Sequence, residues 1–164
     1  MSGPANEVDA NEVDANGVEH AVWIAADHEA VFAALTTVDG LNGWWGPATA
    51  ASTTIGGHVV FDHGLPSPMR MEIVAFDPPS RVTWRFASTY DDPDNPASEW
   101  TDQTFAWRVE RRAERALLGH PMDVTVVRMT NAGWPAPSRW RGFCTTAWGA
   151  TLDGRLKPFL EEHS

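Results

Sequence analysis

The last quarter of the chain confines the fold most tightly. Trp140, Phe143, Cys144, Ala147, Trp148, Thr151, Leu152, Leu156, Phe159 and Leu160 recur at i, i+3, i+4, i+7 spacing, which gathers them on one face of a helix. Arg139, Arg141, Thr146, Asp153, Lys157 and Glu161 fall on the opposite face. A helix over 138–162 would run on the order of 37 Å. Pro158 should distort it near its end, and Pro135 and Pro137 lead into it. An apolar stripe of that length must be covered, and the segments before it are suited to cover it.

Those segments alternate with a period of two. His20, Val22 and Ile24 alternate with Glu19, Ala21 and Trp23. A run at 58–63 follows the Gly56-Gly57 turn. Met69, Met71, Ile73 and Ala75 alternate with Arg70, Glu72 and Val74 until Asp77-Pro78-Pro79 stops the run. Val82, Trp84 and Phe86 alternate with Arg81, Thr83 and Arg85, and Phe105, Trp107 and Val109 with Thr104, Ala106 and Arg108. A final run covers 122–130. One polar and one apolar face per strand predicts an antiparallel sheet covered on one side only. After the first strand, Asp27 offers an N-cap and Val31, Phe32 and Leu35 recur at helical spacing, which predicts a helix over about 28–37. A short helical turn at 39–45 should end at Gly46-Pro47. The segment 90–96 reads as a long acidic turn and 111–121 as a second loop or a hairpin end, neither with binding logic, and Tyr90 is expected on the surface.

The N-terminus differs in texture. Asn-Glu-Val-Asp-Ala stands at 6–10 and again at 11–15, a period of five that suits neither helix nor strand. The expectation is a disordered acidic tail over 1–17 and one folded domain over 18–164. Of the net charge of −10, half belongs to residues 1–20, where five acids meet no Lys or Arg. Such acidity makes a nucleic-acid duplex or an anionic membrane a poor partner. There is no secretory signal and no apolar run of membrane-spanning length, so the expected location is cytoplasmic.

The aromatic supply links architecture to function. The chain has nine Trp, seven Phe and one Tyr in 164 residues. A twisted sheet wrapped on one helix leaves space where the two diverge. Trp44, Trp45, Phe61, Met71, Trp84, Phe86, Trp107, Trp140, Phe143 and Trp148 are the residues expected around that space. They either fill it as core or line a ligand pocket, since pockets carry apolar walls with few polar groups.

Four stretches in order resemble a known family: Trp44-Trp45-Gly46, Gly56 to Phe61, Glu72 to Trp84, and Trp148 to Leu160. Together they are similar to the Aha-type branch of the START-like (SRPBCC) superfamily over about 18–163. The resemblance implies an α+β helix-grip fold: a curved antiparallel sheet of about six or seven strands around a long C-terminal helix, with two short helices after the first strand. It implies a membership that mostly binds lipids, sterols, polyketides or hormones, with some cyclases, and it supplies no universal catalytic residue. The Pro- and Trp-rich stretch 131–142 and the acidic repeat depart from the family pattern, the former at the expected cavity mouth.

Other chemistry finds little support. His58 and His63 are five apart on one strand and point to opposite faces, and His20, His28, His120 and His163 lie on separate elements, so neither a metal nor another cofactor is expected. Cys144 on the apolar helix face reads as a small hydrophobe without an activating base. Asp62 or His63, Arg70 or Glu72, and Arg128 are the polar groups that register could turn inward. The leading expectation is binding of a small hydrophobic ligand, with a cyclase- or hydrolase-type enzyme in the same cavity and a chaperone-activator-like module with a protein partner as alternatives.

Overall fold

The computed structural model describes residues 17–115 and 121–162. The acidic repeat therefore lies outside the described residues, as does the tip of the loop expected after 111. Seven strands form one antiparallel sheet: β1 (Val18–Ile24), β2 (Ala48–Ala51), β3 (His58–Phe61), β4 (Met69–Asp77), β5 (Arg81–Phe86), β6 (Thr104–Arg115) and β7 (Pro121–Ala132), in the spatial order β1-β7-β6-β5-β4-β3-β2. Two helices, α1 (His28–Thr36) and α2 (Val38–Trp44), follow β1. The chain ends in α3 (Arg141–Thr151), a π-helical turn (Leu152–Leu156) and α4 (Lys157–Glu162), which succeed one another without a break. This is the helix-grip architecture that the alternation and the C-terminal periodicity predict.

Several local details follow from the residues. Asp27 caps α1 by accepting from the Glu29 N–H at 3.0 Å. Gly43 lets the C-terminal helix approach α2, because a Cβ there would stand 2.2 Å from the Phe159 ring. The helical hydrogen-bond ladder widens before Pro158: the Lys157 N–H reaches back five residues to the Leu152 carbonyl. A proline has no N–H and its ring crowds the preceding turn, so the π turn is where the expected distortion appears. The far end of the helix is tied to β1. Glu161 accepts from the Ala25 N–H at 2.9 Å, and the Lys157 ammonium donates to the Trp23 carbonyl.

The structure also corrects the strand readings. β2, four residues rich in alanine, has no alternation to betray it and forms by pairing with β3. β6 continues to Arg115 and pairs with β7 up to Pro121, so of the two readings of 111–121 the hairpin end holds and the loop does not. In β4 the register shifts between Ile73 and Ala75. The bulge exposes Val74 and turns Phe76, rather than Ala75, inward to meet Phe32 of α1 at 5.7 Å. Tyr90 is buried, with its hydroxyl donating to the Ser67 carbonyl at 2.8 Å, which corrects its assignment to the surface. No helix among the described residues is long and apolar enough to cross a membrane.

Candidate functional site

The concave face of the sheet carries an aromatic layer. Val82, Trp84 and Phe86 of β5 and Phe105, Trp107 and Val109 of β6 all turn inward, as their alternation requires. Trp107 meets Trp44 at 5.9 Å, Trp84 at 5.3 Å and Trp148 at 5.9 Å between ring centroids. Trp45 follows α2 as its C-cap and lies over this layer, parallel to Trp84 at 6.2 Å and against Trp148 at 5.0 Å. The indole N–H groups of Trp84 and Trp107 are buried without an oxygen or nitrogen acceptor.

On the outer side of Trp45 the sheet and α3 diverge, leaving a cavity of about 300 Å³. Four segments wall it. Trp45 forms its inner end, and His63, Leu65 and Met69 enter from the β3–β4 connection and the start of β4. Asn95, Pro96, Ala97 and Trp100 come from the 3-10 turn at Pro96–Glu99 and its flanks. Phe143, Cys144, Ala147, Trp148 and Thr151 project from α3 at helical spacing.

Of the ten residues expected around this space, Trp45, Phe143 and Trp148 line the cavity. Phe61, Met71, Trp84, Phe86 and Trp107 are fully buried behind it, and Trp44 is tied into the core by its N–H to the Ala34 carbonyl at 2.8 Å. Trp140 stands outside the wall. Its indole donates to the Pro93 carbonyl at 3.0 Å, its face carries the Arg139 guanidinium at 4.8 Å, and its edge meets Phe143 at 5.8 Å. The aromatic supply thus divides between a filled core and a smaller lined space. The wall residues missing from those ten come from three places: His63, Leu65 and Met69 in the β3–β4 connection and at the start of β4, Asn95, Pro96, Ala97 and Trp100 in and after the acidic turn 90–96, to which the sequence assigns no binding logic, and Cys144, Ala147 and Thr151 on the apolar face of the helix.

The polar candidates sort by face. Glu72 lies on the convex side and pairs with Arg85, which also reaches Asp102. Arg128 pairs there with Glu110 at 3.3 Å, and Arg70 is exposed. Neither arginine points into the cavity. His63 alone of these candidates does line it, stacked on Phe61 at 5.2 Å and tilted against Trp45 at 5.2 Å. Burial pushes its pKa below the usual histidine value, only partly opposed by Asp62, so the ring is neutral near pH 7. Cys144 receives a hydrogen bond from the Trp100 side chain, and burial pushes its thiol up, so it is not a poised nucleophile. The remaining polar groups of the wall are engaged locally: the Asn95 side-chain oxygen accepts from the Ala97 N–H, and the Thr151 hydroxyl donates to the Ala147 carbonyl. No cluster of three or more His, Cys, Asp or Glu suited to a metal occurs among the described residues.

Glu99 holds two walls together. Its carboxylate accepts from the Ser138 hydroxyl at 2.7 Å, the Arg139 N–H at 2.8 Å and the Trp140 N–H at 3.1 Å, fastening the 3-10 turn to the start of α3. Burial would raise its pKa, but these three bonds and the Arg139 charge outweigh it and hold the carboxyl below its ordinary value. A depressed folded pKa adds stability that is present above the unfolded value and lost as pH falls through the folded one. Replacing Glu99 by Gln should therefore cost about 1–2 kcal/mol at pH 7 and flatten the stability loss below about pH 5. Denaturant titrations of both proteins across pH check this. An unchanged pH profile would contradict the role given to the carboxylate.

The model of the family described as "Activator of Hsp90 ATPase homolog 1-like protein" matches residues 25–161. No curated protein matches the chain. Among solved structures, the chain is similar to the Aha1 dimer from Colwellia psychrerythraea, with 25% identity, 88% of this chain and 96% of that chain covered, and a TM-score of 0.69. It shares its fold with CalU16 from Micromonospora echinospora, at 17% identity, 88% and 75% coverage and a TM-score of 0.64. It shares it likewise with DynU16, a putative protein in the dynemicin biosynthetic locus, at 20% identity and a TM-score of 0.65, where 88% of this chain covers 47% of that one.

Proposed function

The chain belongs to the Activator of Hsp90 ATPase homolog 1-like family, and from that premise we propose that it binds a small hydrophobic ligand in the cavity between sheet and C-terminal helix. The observation that carries this reading is the wall itself. Trp45, Leu65, Met69, Trp100, Phe143 and Trp148 surround a space whose local polar groups are mostly engaged with the protein. Such a surface gains by exchanging water for an apolar guest. A volume of about 300 Å³ stands at the lower end of ligand pockets, which favours a compact aromatic over a long acyl chain. Phe143, 61% exposed at the mouth, is apolar area that a bound ligand would cover.

Native mass spectrometry of the freshly purified protein tests this directly, with a retained small molecule as the expected result. A panel of aromatic, lipid and polyketide-like compounds should raise the melting temperature and change the tryptophan emission. A panel that moves neither would overturn the reading. A cyclase- or hydrolase-type activity has one observation in its favour, the His63 ring on the cavity wall, which burial keeps neutral and able to accept a proton. Turnover of a bound ligand, abolished by replacing His63, would distinguish that reading from binding alone.

A further inference from the structure

The convex face of the sheet carries a line of arginines. Arg81 stands opposite Arg108 in the pairing of β5 with β6, and Arg108 stands opposite Arg128 in the pairing of β6 with β7. Ala21 of β1 ends the row beside Arg128 with a small side chain, and Asp77 of β4 ends it beside Arg81. Arg81 and Arg108 are exposed. Arg128 pairs with Glu110 at 3.3 Å, whereas Arg81 and Arg108 make no ion pair among the described residues. Like charges directly opposite one another on neighbouring strands lower stability. A row that keeps three of them, two without an acid, gains by receiving an anionic segment.

The same chain carries such a segment. The Asn-Glu-Val-Asp-Ala repeat at 6–15 holds Glu7, Asp9, Glu12 and Asp14 and no Lys or Arg. The described residues begin at Gly17, directly before β1, and β1 lies beside the strand that bears Arg128. Arg81, the far end of the row, stands three residues along and three strands across from Val18, roughly 17 Å by strand rise and spacing. Asp14 to Glu7 precede Val18 by four to eleven residues, up to roughly 36 Å of chain, so the acids have the reach to turn back over the row.

We propose that the acidic repeat at 6–15 docks on the arginine row of its own chain, on the side of the sheet opposite the cavity. The surface goes beyond the ligand-binding reading and does not depend on it. Its attraction is electrostatic and solvent-exposed, so salt should weaken it. An occupied row is closed to acidic partners from outside, which gives the repeat the role of a tethered competitor.

The test uses the full chain with a nitroxide on Asn11→Cys, read through the backbone amide signals. Cys144 is buried, so the label goes to residue 11. At about 0.01 M salt, where charges act over roughly 30 Å, the amides of Arg81, Thr83 and Arg108 should lose intensity. Those of β2, at the far edge of the sheet, should keep theirs. At about 1 M salt, where the reach falls to about 3 Å, the loss should disappear. Arg81→Gln combined with Arg108→Gln should abolish the loss at low salt. The salt comparison leaves the row intact and so is independent of how that pair of substitutions affects the sheet. No loss at Arg81 and Arg108, or a loss that persists at high salt or in the doubly substituted chain, would overturn the proposal. A loss that appears when the labelled chain is mixed with an isotope-enriched, unlabelled one would assign the docking to a second copy and overturn it too.

Discussion

Replacing Trp107 by Ala should cost about 3–5 kcal/mol of folding stability, the range for truncating a large buried aromatic. That is a large share of the roughly 5–15 kcal/mol that holds a domain together. The reason is its position rather than its size alone. Trp107 is fully buried at the middle of β6 and touches an indole from α2, one from β5 and one from α3. Its removal leaves a void bordered by three rigid rings on three separate elements, which cannot collapse together without moving the elements. Trp107→Phe, which retains an aromatic ring, should lose a smaller amount. Trp23→Ala, on the convex face and 45% exposed, should lose about 1 kcal/mol or less. Guanidinium titrations of the three variants give the comparison. A loss under about 1 kcal/mol for Trp107→Ala would show that the aromatic layer does not support the fold.

Replacing Ala147 by Trp should abolish ligand binding without unfolding the protein. Ala147 is exposed on α3 and its Cβ lines the cavity, so an indole there would occupy the space that a ligand needs. A designed steric clash of this kind should weaken any aromatic compound of the panel that binds the parent by at least about a hundredfold. The helix loses only a few tenths of a kcal/mol through the change of residue type, so the melting temperature should stay close to that of the parent. Ala150→Trp places the same bulk on the same helix at an exposed position outside the wall, and should bind as the parent does. If Ala147→Trp bound that compound as tightly as Ala150→Trp, the ligand would have to sit elsewhere on the protein.

The two substitutions probe halves of one aromatic set that the sequence does not separate. Phe61, Trp84 and Trp107 were legible as inward-facing, because a strand's side chains alternate strictly and each of these shares its phase with apolar neighbours. Whether an inward aromatic is core or wall depends instead on how far the sheet stands from the helix above it. Trp107 faces Trp148 and is sealed, whereas a few residues away Ala147 and Thr151 stand over open space. Trp140 carries the helical period of its neighbours, yet it precedes the first turn of α3 and is drawn outward to the Pro93 carbonyl. Its periodic position was a property of a helix that had not yet begun.

The loop contribution was illegible for a related reason. Asn95, Pro96, Ala97 and Trp100 carry no period, and nothing local aims them at the cavity. They arrive there because Glu99 binds three groups at 138–140, some forty residues away along the chain. His63 is a similar case. β3 ends at Phe61, so His63 is not on one strand with His58 as the alternation implied. It lies in the β3–β4 connection, and it meets the cavity because that connection folds its ring onto Phe61 and Trp45.

The sequence by itself determined the order of elements, the antiparallel one-sided sheet and the long helix that must cover it, because periodicities of two and 3.6 are set by backbone geometry and survive without any partner. Tertiary structure alone decided the dimensions of the space between them, the conversion of a loop into a wall, and the placing of the His63 ring beside that wall, stacked on Phe61 and tilted against Trp45. Those depend on distances between elements remote in the chain, where a bulge of one residue in β4 or one half-buried carboxylate at Glu99 changes which side chains meet.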